Sequence, residues 1–105
     1  MKSVSKFKLN DVSLREEYRR RHDNLWPEML DLLKRSGIKN YSIWNTEDEL
    51  IEYLEADDIE NVWLIIRSSA VKAQWDNYMD DIIEKDGADG EAVPLTCMYT
   101  FKNEE

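Results

Sequence analysis

Apolar residues along this chain recur first every second position and then at helical spacing, and the switches between the two periods mark its elements. Over residues 4–10, Ser5, Phe7 and Leu9 share one side and Val4, Lys6 and Lys8 the other, which predicts a strand. Asn10 or Asp11 can cap the helical stretch after it. From about 12 to 36, Leu14, Tyr18, Leu25, Met29, Leu32 and Leu33 recur at helix spacing. Pro27 interrupts that run. Proline is tolerated in a helix's first turn but not its interior, so a break falls near Asp23 to Trp26. Gly37 after Ser36 suits a left-handed helix end. Residues 38–45 alternate again, with Ile38, Asn40, Ser42 and Trp44 opposing Lys39, Tyr41 and Ile43. Asn45 to Glu49 reads as a turn, and Leu50 to Ala56 as the returning strand of a hairpin. Asp57 or Asp58 caps a short helix carrying Val62, Trp63 and Ile66. Ser68 or Ser69 starts another, with Val71, Trp75, Met79 and Ile82 or Ile83 on one stripe. Lys85 to Glu91, with Gly87 and Gly90, reads as a loop. Val93, Leu95, Cys97, Tyr99 and Phe101 line one side of an expected last strand over 93–101.

The element order is β-α-β-β-α-β. With helices on one side of a four-stranded antiparallel sheet, this is the ferredoxin-like α+β plan, expected as a single domain over 1–105. Helices cover one face of such a sheet. The other face still carries large residues and needs cover. Pairing two sheets across a two-fold axis supplies it, so a homodimer is expected, with Phe7, Tyr99 and their strand neighbours inside the contact.

Composition narrows the function. The chain has 105 residues and a formal net charge of −9. Nucleic acids and anionic membrane surfaces are bound by basic patches, so neither is an expected partner. No apolar run approaches the roughly 20 residues of a membrane span, and the first residues lack the apolar core of a secretory signal. Cys97 is the sole cysteine, which excludes an intrachain disulfide and fits a cytoplasmic setting. Arg19, Arg20 and Arg21 come just after Glu16 and Glu17, and intrahelical ion pairs account for them.

The candidate chemistry lies in Glu17 to Glu28, which holds the only histidine. Tyr18 and His22 are four apart and share a helix face, with Trp26 one turn further on. A phenol beside an imidazole suits a small hydroxylated ligand, and histidine exchanges protons near neutral pH. The plainer reading of His22 is a helix-end residue paired with Asp23 or Glu17. Tyr41 and Trp44 lie on opposite sides of their strand, so only one can face a given pocket. Glu47, Asp48, Glu49 and Glu52 read as a solvated acidic cluster, without calcium-loop spacing. Cys97 reads as a small buried filler, Met79 as core, and Trp26 and Trp63 as packing between helix and sheet. Glu104 and Glu105 read as a frayed end.

Tyr18-x-Arg20-Arg21-His22-x-x-x-Trp26-Pro27-Glu28, then Gly37 to Trp44, then Gln74-Trp75-x-x-Tyr78-Met79, resemble the L-rhamnose mutarotase family in register over nearly the whole chain. The resemblance implies a dimeric α+β barrel and an isomerase that interconverts the α and β anomers of a 6-deoxy-hexose without metal or organic cofactor. It implies His22 as the catalytic proton donor and Tyr18, Tyr41 and Trp75 as sugar-binding residues. The family has a second tryptophan after the first; here Asp76 stands there. That change removes a stacking surface and adds a hydroxyl acceptor, so L-fucose becomes a second candidate sugar. Two other functions fit the same barrel: a pocket that binds a small ligand without turning it over, and a cofactorless oxygenase. A passive pocket does not need His22, and shared topology alone does not explain the run from Tyr18 to Pro27.

Overall fold

The computed structural model describes residues 1–84 and 92–103. The loop expected over 85–91 and the frayed end at Glu104 and Glu105 lie outside the described residues. The chain runs through β1 (Lys2–Leu9), a 3-10 turn (Val12–Leu14), α1 (Arg15–Asp23), α2 (Pro27–Arg35), β2 (Ile38–Thr46), β3 (Glu49–Ala56), α3 (Ile59–Arg67), α4 (Ala70–Met79), β4 (Ile83–Glu84) and β5 (Val93–Pro94). The sheet is antiparallel in the order β2-β3-β1-β4, and β5 also pairs with β1. This is the ferredoxin-like α+β plan.

Local chemistry explains most boundaries. Trp26 is extended at ψ 143° and Pro27 opens α2, because the residue before a proline avoids helical geometry. α1 and α2 are therefore separate helices, as the proline predicts. Asp58 caps α3 by accepting from the Asn61 N–H at 3.0 Å, and Ser69 caps α4 by accepting from the Val71 N–H at 3.2 Å. Gly37 closes α2 at φ 95°, a conformation an L side chain rarely adopts. The β2–β3 turn needs Glu47 at φ 54°, and the Asn45 side-chain amide donates to the Glu47 and Glu49 carbonyls across it.

Register sets which residues face the helices. Ser3, Ser5 and Phe7 of β1 lie opposite Leu54, Glu52 and Leu50 of β3. Tyr41, Ile43 and Asn45 of β2 lie opposite the same three. Leu50, Leu54 and Ala56 are buried under the helices with Leu9, Tyr18, Met29, Leu32, Val62, Ile66, Trp75, Met79 and Ile82. The other face carries Val4, Lys6, Lys8, Trp44, Ile51 and Tyr53.

Five expectations are corrected. Ile38 packs against the core on the same side as Tyr41, because an irregularity between Ile38 and Asn40 shifts the β2 register. α4 stops at Met79, and Ile82 reaches the core from the following turn while Ile83 opens β4. Phe7 belongs to the helix side, 6.3 Å from the Tyr18 ring, and not to the uncovered face. The last strand is only Val93–Pro94, paired with Ser5 and Lys6 of β1, with one further bond from the Leu95 N–H to the Val4 carbonyl. Beyond it Met98, Tyr99 and Phe101 are exposed, and Cys97 is exposed rather than buried, with its sulfur 3.2 Å from the Thr100 hydroxyl.

Candidate active site

A cavity of about 980 Å³ lies between the inward face of the sheet and the helices. Tyr18, His22, Tyr41, Trp75 and Asp76, all named from the sequence, border it. α1 has few apolar residues, and Tyr18 is its one buried side chain. The helix turns Tyr18 and His22 inward and its charges outward.

The His22 ring stacks on Tyr18 at 4.3 Å and 27°, then meets the edge of Trp75 at 5.3 Å and 88°. Trp75 in turn contacts Trp26 at 5.1 Å and Tyr78 at 5.5 Å. Such pairs add roughly 0.5–1.5 kcal/mol each beyond burial and restrict ring rotation. The His22 Nδ1 lies 3.1 Å from the Tyr18 carbonyl. A carbonyl only accepts, so Nδ1 carries its proton and donates. Nε2 is then the nitrogen that gains or loses a proton. Among the described residues no hydrogen bond occupies Nε2. Burial holds the His22 pKa below its usual 6.5, opposed by the Tyr18 carbonyl and by the Asp23 and Glu52 charges. The helix-end pairing with Asp23 or Glu17 does not form. Asp23 pairs with Arg19 at 3.9 Å, and Glu17 with Arg20 and Arg21.

Tyr41, 37 % exposed, borders the cavity from β2, while Trp44 lies on the other side of the strand at 65 %. The Tyr41 hydroxyl donates to Glu52 Oε2 at 2.5 Å, and the Ser5 hydroxyl to Glu52 Oε1 at 3.3 Å. Burial and the Glu52 charge push both the Tyr18 and Tyr41 phenols above their usual pKa, so both stay protonated near neutrality. Glu52 thus borders the cavity and is no part of a solvated hairpin cluster. Sequence adjacency to Glu47, Asp48 and Glu49 hid it. The signal was the strand period, since Glu52 alternates in step with the buried Leu50, Leu54 and Ala56.

Asp76 sits at the cavity edge, 59 % exposed, ion-paired to Lys72 one turn earlier. Trp63 borders the cavity too, with the Arg67 guanidinium 5.3 Å from its ring. Arg21 does more than pair within α1. Its side chain is 11 % exposed, grips both Asp81 oxygens at 2.8 and 3.0 Å, donates to the Tyr78 carbonyl at 2.8 Å and lies over the Tyr78 ring. It therefore ties α1 to the end of α4 and fixes His22 against Trp75. His22 and Glu52 are potential proton carriers at the site, with phenols and an indole around them. That combination suits proton transfer on a small polyhydroxylated molecule.

Comparison with known proteins gives the family. The sequence profile of the L-rhamnose mutarotase family matches residues 2–101. The chain is 41 % identical over 87 residues to the L-rhamnose mutarotase of Tolumonas auensis, covering 81 % of this chain and 82 % of that protein. It is 42 % identical over 88 residues to that of Bacillus subtilis, covering 82 % and 83 %. Its fold is similar to the crystal structure of an L-rhamnose mutarotase from Formosa agariphila, with a TM-score of 0.79, 24 % identity and coverage of 97 % and 99 %. A type-II polyketide cyclase from Streptomyces glaucescens shares the fold at a TM-score of 0.64 and 14 % identity, over 98 % of each chain. Matched over nearly all its length by the family profile, the chain belongs to the L-rhamnose mutarotase family.

Proposed function

We propose that this protein is a cofactor-independent mutarotase, a cytoplasmic enzyme acting as one domain, which interconverts the α and β anomers of a 6-deoxy-hexose, L-rhamnose first. The observation that carries the reading is the held imidazole: Nδ1 is committed to the Tyr18 carbonyl, leaving Nε2 for a ligand in the cavity. Ring opening needs a proton delivered to the ring oxygen and one removed from the anomeric hydroxyl. His22 gives the first, the C–O bond breaks, and the aldehyde forms as the second leaves. Rotation about the first C–C bond and closure with the roles reversed complete the exchange. A lowered pKa makes the imidazolium a stronger acid, which suits a weakly basic ring oxygen. Tyr18, Tyr41 and Trp75 offer ring faces to the sugar; the Tyr18 hydroxyl can donate to it, and the Tyr41 oxygen, its proton given to Glu52, can accept from a sugar hydroxyl. Polarimetry on a freshly dissolved single anomer tests this. Faster relaxation of optical rotation with protein supports it, and an unchanged rate for every reducing sugar tried removes the enzyme reading and favours a binding module.

Asp76 bears on the sugar. Its place on the cavity edge favours a part in selectivity, with L-fucose as the second candidate substrate. Asp76→Trp is expected to raise the ratio of the L-rhamnose rate to the L-fucose rate, because it adds an apolar platform and deletes a hydroxyl acceptor. An identical ratio in parent and variant retires Asp76 from that role and leaves the mutarotase reading intact.

The uncovered sheet face supports a homodimer. Trp44 on that face, Val93 of β5, and Leu95, Met98, Tyr99 and Phe101 in the segment after the sheet are each more than a third exposed. A second copy packed sheet to sheet would cover them, and a specific contact buries on the order of 1,200 Å² or more. Light scattering at micromolar protein is expected to give twice the 12.5 kDa chain mass. A monomer mass contradicts the dimer.

A further inference from the structure

We infer that Glu52 is the second catalytic group, the carboxylate that takes the proton from the anomeric hydroxyl while His22 protonates the ring oxygen. This rests on the mutarotase reading above and assigns the acceptor that reading leaves open. Three observations carry it. Glu52 is on the inward face of β3, bordering the cavity shared with His22. Its partners are both neutral hydroxyls, Ser5 on Oε1 and Tyr41 on Oε2, and no cation among the described residues pairs with it. A carboxylate held by two hydroxyls is oriented, and it keeps lone pairs for a further donor. Its charge acts on the Tyr18 phenol and on the His22 ring, and those two rings stack on each other at 4.3 Å.

The step balances. His22 loses its Nε2 proton to the ring oxygen and the C–O bond breaks. The anomeric O–H proton passes to Glu52, and the electron pair it leaves forms the carbonyl. On closure Glu52 returns its proton to the carbonyl oxygen, the ring hydroxyl attacks, and its proton returns to His22. Nothing is consumed. The Ser5 and Tyr41 hydroxyls donate to the two Glu52 oxygens and orient the carboxyl group at the cavity.

The test uses whichever sugar the parent protein turns over. Glu52→Gln keeps the shape and can still bond to Ser5 and Tyr41, but cannot take a proton. It is expected to lower kcat by about 10²-fold or more with KM changed only a few-fold. The pH profile separates a base from a structural residue. Other groups around the cavity that carry or can carry charge are Tyr18 and His22 from α1, Tyr41 from β2, Arg67 from α3, Lys72 and Asp76 from α4, and Asp80 just after it. The parent should lose rate on acidification as Glu52 is protonated, and lose it on the alkaline side as His22 loses its proton. Glu52→Gln should abolish the acid-side loss and keep the alkaline one. Glu52→Asp keeps a carboxylate, so it should retain the acid-side loss at reduced kcat, and it serves if the Gln variant does not fold. A Gln variant with more than about a tenth of the parent kcat, a raised KM at unchanged kcat, or an unaltered acid limb overturns the base role and leaves the mutarotase reading standing. A parent protein that exchanges no sugar overturns both.

Discussion

The His22→Asn protein is expected to fold as the parent does and to lose anomer exchange by about 10²- to 10⁴-fold. Asparagine is close in size and can still donate to the Tyr18 carbonyl that now receives Nδ1. It cannot carry a proton near neutral pH. No other histidine exists in the chain to replace it. The loss should appear in kcat, because the sugar's ring and hydroxyl contacts come from Tyr18, Tyr41 and Trp75 in the proposed site. Circular dichroism and thermal unfolding check the fold, and exchange rates check the chemistry. A variant that keeps more than about a tenth of the parent rate would show that another proton carrier dominates.

Leu54→Ala is expected to destabilise the protein by about 2–5 kcal/mol. Leu54 is fully buried, flanked across the ladder by Ser3 and Tyr41, and two residues from Glu52 on the same face. Removing its branched end leaves a void where the strand cannot collapse without moving both neighbours. Urea unfolding reads the change as a lower midpoint. A shift worth less than about 1 kcal/mol would mean that the sheet beneath the site is loosely packed.

The helices and the hairpin were legible because local chemistry alone sets them. Pro27 forces the break between α1 and α2, Gly37 the end of α2, and Asp58 and Ser69 the starts of α3 and α4. The Tyr18–His22 pair was legible for the same reason, since helical spacing stacks residues four apart. Long-range facts were not. Ile38 faces the core because of an irregularity that no alternation pattern reveals. The 93–101 segment alternates like a strand, yet only Val93–Pro94 pair, with Ser5 and Lys6 of β1, and an alternation pattern carries no information on long-range pairing. Arg21 looked like one of three equivalent arginines, and only tertiary packing sends it to Asp81. Glu52 was hidden by its acidic neighbours, although its step with Leu50 and Leu54 put it inside.

The most direct measurement is magnetisation-transfer NMR between the α and β anomeric protons, with L-rhamnose, L-fucose and D-glucose side by side. A catalytic amount of protein is expected to speed exchange for L-rhamnose or L-fucose well beyond the buffer rate, and His22→Asn to return it nearly to that rate. Exchange unchanged by folded parent protein for all three sugars would contradict the mutarotase assignment.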